Sequence, residues 1–199
     1  HGHTPTISIG GRPVCNLRFA DDIDLLGGSN TELQNLTDRL ADRAGAFGME
    51  ISAEKSKVMV NSHSNTSANI TLAGEQLEEV PTFKNLGATL SKDGTCKTDI
   101  QIRLATATAA MARLTRVWRS GINFRTKLHL FKSLVVSILL YGCEAWTLTT
   151  DSERKIEAFE YKSFRKLLGV SYRERRTNKD IRMIVEGFVG AQEPLRSEE

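Results

Sequence analysis

The 199-residue chain has three cysteines, four prolines and no long apolar run. Cys15, Cys96 and Cys143 are widely spaced and odd in number, which excludes a disulfide framework and a zinc knuckle. Reduced, packed thiols in an intracellular protein, nuclear or cytoplasmic, are the expectation. The most apolar stretch, Leu134 to Tyr141, is too short to span a bilayer. His1-Gly2-His3 shows neither an initiating Met nor a secretory pattern. The reading is therefore of a fragment or partial frame without a membrane partner. His1, His3, His63 and His129 have no metal-ligand spacing.

Apolar content of 40% and charged content of 26% suit a globular protein with a real core. The net charge of +3 hides an asymmetry. Residues 1–96 hold 8 Lys/Arg against 12 Asp/Glu, residues 97–182 hold 18 against 8, and residues 183–199 hold 1 against 4. The middle segment is basic enough for a phosphate-backbone footprint, and a solvated helical surface explains it nearly as well.

Periodicity divides the chain near Cys96. Val14 to Leu26 reads as two strands around Asp21-Asp22. Ser29-Asn30-Thr31-Glu32 is a capping box opening a helix with Leu33, Leu36, Leu40 and Phe47 on one stripe, ended by Gly45 and Gly48. Met49–Ile51 and Val58–Val60 read as short strands. Residues 61–69 read as a loop, residues 70–77 as a hairpin and residues 83–90 as another around Gly87. From Thr98-Asp99-Ile100-Gln101, a second capping box, the pattern is helical: one long helix to Trp118, a second from Arg125 to Trp146, a third opened by Thr150-Asp151-Ser152-Glu153, and a short last one from Asn178 to Glu186. The expected fold class is α+β: antiparallel hairpins with a helix in residues 1–95, then an all-helical region in residues 96–199.

Phe19-Ala20-Asp21-Asp22 carries the most chemistry. Adjacent carboxylates at a hairpin tip repel each other unless a hard cation neutralises them, and oxygen donors suit Mg²⁺ or Mn²⁺. A solvated Asp-rich turn is the plainer reading of those four residues alone.

Their flanks shift that weighting. Leu17 to Leu26 resembles the FADD-type palm motif of reverse transcriptases from non-LTR (LINE-type) retrotransposons. Phe47 to Ser52 with Glu54 to Met59 resembles the next palm motif, its lysine at Lys55. Phe83-Lys84-Asn85-Leu86-Gly87 is similar to the primer-grip motif, with Asn85 where the family usually has an aromatic. Leu139 to Leu148 (LLYGCEAWTL) resembles the segment after the palm. The four stretches stand in the family's order and run from about Val14 to Asn178.

The resemblance implies a palm with antiparallel hairpins followed by a thumb-like helical bundle. It implies an RNA-directed DNA polymerase using two-metal nucleotidyl transfer on an RNA template, a DNA primer and deoxynucleoside triphosphates. Asp21 would be a ligand of Mg²⁺ or Mn²⁺ and Asp22 its supporting carboxylate. Asp24 shares a strand face with Asp22 and is not counted as a ligand. Lys55 would stand near the triphosphate. Phe83, Lys84, Leu86 and Gly87 would form the primer grip.

Arg113, Arg116, Arg119, Arg125 and Lys127 make one basic cluster; Arg165, Lys166, Arg173, Arg175 and Arg176 make another, with Tyr161, Phe164 and Tyr172 interleaved. Both would grip the template–primer duplex, while Trp118, Trp146 and the apolar members of the second cluster read as packing residues. In this family a third carboxylate and the fingers come from upstream. The expectation is a reverse-transcriptase fragment that does not polymerise alone. The alternative is a non-catalytic remnant that binds nucleic acid through its basic helical half.

Overall fold

The computed structural model describes residues 8–61 and 67–189. His1, His3 and His63 lie outside them, as does most of the loop read at 61–69. The chain mixes strands and helices, as an α+β fold requires, and divides into two compact units. One comprises His1–Phe83 and Ser91–Gly94, the other Lys84–Leu90 and Thr95–Glu199.

The first unit holds short hairpins and one helix. Strands β1 (Ser8–Ile9) and β2 (Arg12–Pro13) pair antiparallel, as do β3 (Asn16–Phe19) and β4 (Asp22–Leu25). Helix α1 runs over Asn30–Ala46. Ser29 caps it by accepting from the Glu32 amide at 3.2 Å, and the Glu32 carboxylate reaches back to the Gly28 amide at 2.9 Å. The box thus closes one residue earlier than the reciprocal pattern. Phe47 does not join the buried stripe. It follows the helix as its C-cap and is 73% exposed, because Gly48 takes φ 69° and turns the chain away.

Strand β5 (Lys57–Val58) pairs parallel with β8 (Glu78–Glu79), which corrects the all-antiparallel expectation. Between them β6 (Thr71–Leu72) and β7 (Glu75–Gln76) form an antiparallel hairpin. Met49–Ile51 is irregular rather than a strand. Val58, Ala68, Ile70, Leu72 and Leu77 form the buried core, joined by Leu33 and Ala41 of α1. Cross-links hold the polar edge: Lys57 pairs with Glu78 at 2.8 Å, and Lys92 with Glu79 at 2.9 Å.

Strands β9 (Thr82–Asn85) and β10 (Ala88–Ser91) form a further two-stranded sheet whose tip, Lys84–Leu90, is counted with the second unit. That unit is otherwise helical: α2 (Lys97–Arg113), α3 (Thr115–Arg119), α4 (Phe124–Phe131), a π-helical stretch (Lys132–Val136), α5 (Ser137–Leu140), α6 (Thr150–Leu168) and α7 (Asn178–Val189).

Three helical expectations are corrected. The long helix to Trp118 breaks at Leu114, because the Trp118 indole N–H turns back onto the Met111 carbonyl at 2.9 Å and the Thr115 hydroxyl donates to the Ala112 carbonyl. The Arg125–Trp146 helix ends at Leu140. Gly142 takes φ 74° there, and Cys143–Ala145 is a 3₁₀ turn. The third helix is capped by Thr149, whose hydroxyl accepts from the Ser152 amide, one residue before the predicted box. The core of this unit includes Trp118, Phe131, Val135, Phe159, Phe164, Ile181 and Val185.

Candidate functional site

The sheet register sets the carboxylate tip. Phe19 pairs with Asp22, so Ala20-Asp21 is a two-residue turn. Ala20 has φ 53° and Asp21 has a negative φ, the sign pattern of a type II′ turn. Both Asp21 and Asp22 are exposed. Cross-strand pairing of Leu17 with Asp24 and Phe19 with Asp22 puts these four residues on one face. Phe19 is 65% exposed there, so the hairpin projects its motif outward. Lys55 lies in the same unit, exposed in the turn before β5, its amide 3.4 Å from the Ser52 hydroxyl.

Donor chemistry at Asp21 and Asp22 suits a hard cation. Among the described residues, however, no group of three or more His, Cys, Asp or Glu side chains could hold a metal ion. The described residues by themselves therefore do not complete a metal site.

The primer-grip stretch is built differently. Leu86 (φ 46°) and Gly87 (φ 84°) are both left-handed, as a type I′ turn requires. Phe83 is half-buried and Lys84 exposed. The turn's carbonyls are both used. The Tyr141 hydroxyl donates to Leu86 at 2.8 Å, and the Arg103 guanidinium donates to Gly87. The same guanidinium lies 4.7 Å from the Tyr141 ring centroid, a cation–π contact.

Beneath it Asp99 is 3% exposed and accepts twice, from the Thr89 amide at 2.9 Å and from the Trp146 indole at 2.9 Å. Arg103 Nε stands 3.8 Å from Asp99 Oδ1, an ion pair too long for a hydrogen bond. So the stretches around Leu86-Gly87 and Tyr141–Trp146, separate in sequence, are one bonded assembly. Asp99 and Arg103 were not among the predicted site residues. The helix opens earlier than the Thr98–Gln101 box predicts, at Lys97, which leaves Thr98 and Asp99 inside its first turn. Cys96 stands at the N-cap without a side-chain cap, its thiol donating instead to the Ala145 carbonyl at 3.4 Å. For Asp99, the Arg four residues on was the available signal.

The basic residues divide in three. Arg119, Lys127, Arg165 and Lys166, drawn from both predicted clusters, line one cavity. Arg125 donates to the Phe188 carbonyl at 3.0 Å. Arg113, Arg116, Arg173, Arg175 and Arg176 are exposed, with Arg176 paired to Glu174 at 3.4 Å. Tyr161 and Phe164 are core residues.

Similarity to known proteins extends over most of the chain. An uncharacterized transposon-derived protein of Caenorhabditis elegans is 27% identical over 183 residues, covering 88% of this chain and 66% of that protein. A Drosophila melanogaster protein named "Probable RNA-directed DNA polymerase from transposon X-element" is 28% identical over 196 residues, covering 90% of this chain and 21% of that protein. This chain is a relative of transposon-derived proteins. It spans under two thirds of the first relative's length and about a fifth of the second's. No family model and no solved structure matches it. No helix among the described residues is long and apolar enough to cross a membrane.

Proposed function

We propose that this chain is the palm-to-thumb part of a non-LTR retrotransposon RNA-directed DNA polymerase. Its partners are an RNA template, a DNA primer and deoxynucleoside triphosphates. In this reading residues 1–95 belong to the palm and residues 96–199 to the thumb. Asp21 and Asp22 contribute two oxygen ligands for Mg²⁺ or Mn²⁺, the remainder coming from outside the described residues. Lys55 faces the triphosphate, and the Leu86-Gly87 turn supports the primer end. When bound, such ions stabilise charge in phosphoryl transfer. The observation that carries the reading is similarity over 90% of the chain to a protein named as an RNA-directed DNA polymerase. An outward-facing pair of adjacent carboxylates on a hairpin tip supports it.

On this reading the chain alone does not extend a primer, because two carboxylates hold such ions weakly and losing an essential ligand costs roughly a thousand-fold in rate. A second reading, a non-catalytic remnant that holds nucleic acid, is favoured by the gathering of Arg119, Lys127, Arg165 and Lys166 around one cavity.

Primer extension on an RNA template with Mg²⁺ or Mn²⁺, for the chain and its Asp21→Ala variant, tests both. The expected result is no extension by either, with salt-sensitive template–primer binding by both. Extension lost in Asp21→Ala overturns the claim of inactivity. Binding that is absent or indifferent to salt overturns the nucleic-acid role.

A further inference from the structure

The C-termini of α3 and α6 meet at the cavity that Arg119, Lys127, Arg165 and Lys166 line, which measures about 480 Å³. The Lys127 ammonium donates to the Trp118 carbonyl at 2.8 Å, at the end of α3. The Lys166 ammonium donates to the Met111 carbonyl at 3.1 Å, at the end of α2, and to the Thr115 hydroxyl at 3.0 Å. Arg165 and Lys166 themselves sit in the last turn of α6. Neutralising helix-end carbonyls is part of what these cations do.

It does not account for all of them. An ammonium has three donors. Lys127 gives one to Trp118 and Lys166 two to Met111 and Thr115, so each lining ammonium keeps at least one donor beyond these bonds. Arg119 is exposed and has no hydrogen-bond or ion-pair partner among the described residues. Among the described residues no carboxylate lines the cavity. Burial, and then the nearby charges of Arg119 and Lys162, hold the Lys166 ammonium below its usual range. The site thus has an excess of positive charge, held in place by backbone contacts, and one free guanidinium whose fork matches phosphate oxygens.

We propose that this cavity seats a single backbone phosphate of a bound nucleic-acid strand, gripped by Arg119 over the fixed ammonium groups of Lys127 and Lys166. The proposal rests on the nucleic-acid reading above and locates one contact within it. A strand, not a free anion, is the ligand because the charge continues past the cavity. Lys162 lies one turn before Lys166 on α6. Arg165 bonds the Arg176 carbonyl at 3.1 Å, leading to exposed Arg173 and Arg175.

The test measures affinity of the full chain for a labelled RNA-template–DNA-primer duplex across a series of salt concentrations. Three proteins are compared: the unsubstituted chain, Arg119→Ala, and Arg39→Ala, which removes an exposed charge from α1. Because Arg119 is exposed and unpaired, its removal leaves the thermal midpoint unchanged. The expected result for Arg119→Ala is roughly three- to tenfold weaker binding at moderate salt and a log–log slope shallower by about 0.9, one lost phosphate contact. Arg39→Ala leaves both unchanged. Equal effects of the two substitutions overturn the cavity as a seat while leaving nucleic-acid binding standing. No salt-sensitive binding by the unsubstituted chain overturns both.

Discussion

The Tyr141 hydroxyl donates to the Leu86 carbonyl across 2.8 Å, fastening a β-turn to the segment that ends α5. Gly87 packs beside it: a Cβ there would lie 3.1 Å from Tyr141 Cε1, on a backbone already at φ 84°. Tyr141→Phe removes only the hydrogen bond and is expected to cost about 1 kcal/mol. Gly87→Ala adds a left-handed penalty of about 1–2 kcal/mol and a steric one. Urea denaturation of both variants checks the order, with Gly87→Ala the more damaging.

Asp99 is expected to be the costliest polar position in the second unit. Asp99→Ala leaves the Thr89 amide and the Trp146 indole without their acceptor and strands the Arg103 guanidinium, for a loss of about 3 kcal/mol. Asp99→Asn keeps an acceptor oxygen and loses less. A double-mutant cycle with Arg103→Met measures how much of the loss belongs to the ion pair.

At the carboxylate tip the turn geometry itself is testable. Ala20 at φ 53° is a left-handed alanine, costing about 1 kcal/mol that glycine avoids. Ala20→Gly is expected to slow amide exchange across the β3–β4 pairing, including the Leu26 amide bonded to Cys15 at 2.8 Å. Faster exchange counts against a strained turn.

Lys55 is exposed, and its ammonium is not needed by the fold. Lys55→Ala is expected to change stability by less than about 0.5 kcal/mol. A thermal melt checks this, and any loss of nucleotide binding in that variant then belongs to the lysine's chemistry.

The first unit carries an acid-sensitive link. Hydrogen bonds from Lys92 and then from the Ala68 amide hold the Glu79 carboxyl below its ordinary value of about 4.5. A carboxyl depressed on folding adds stability that is fully present above that ordinary value and disappears as pH falls through the lower folded value. Melting curves between pH 6 and pH 3 are expected to fall over that acid window, and Glu79→Gln is expected to flatten that part of the fall. An unaltered profile in the variant removes Glu79 from the account.

Local chemistry was the legible part of the sequence. Ser29 and Glu32 mark the start of α1, and Ala73-Gly74 sits between β6 and β7 with φ 51° and 86°. Asp21 and Asp22 lie at a hairpin tip, as the flanking strand residues indicated. What the sequence hid were choices made by tertiary partners. Thr98 and Gln101 have the spacing of a capping box, yet the helix opens at Lys97, and Asp99 between them gives its buried carboxylate to an amide, an indole and a guanidinium. Trp118 continues the apolar period of α2, yet its indole N–H needs an acceptor once buried and finds Met111 by breaking the helix. Lys127 and Lys166 are far apart in sequence, and only the convergence of helix ends brings them to one cavity.

The assignment of Lys84–Leu90 to the helical unit has a practical corollary for dissecting the protein. Cutting at Cys96, where periodicity changes, strips away the carbonyls that Tyr141 and Arg103 bind and the amide that Asp99 binds. Such a piece keeps α2 to α7 and loses the turn whose Thr89 amide helps satisfy the buried Asp99 carboxylate. The shortest fragment expected to stand alone as the helical unit starts at Thr82, with the whole β9–β10 hairpin carried along as an integral cap.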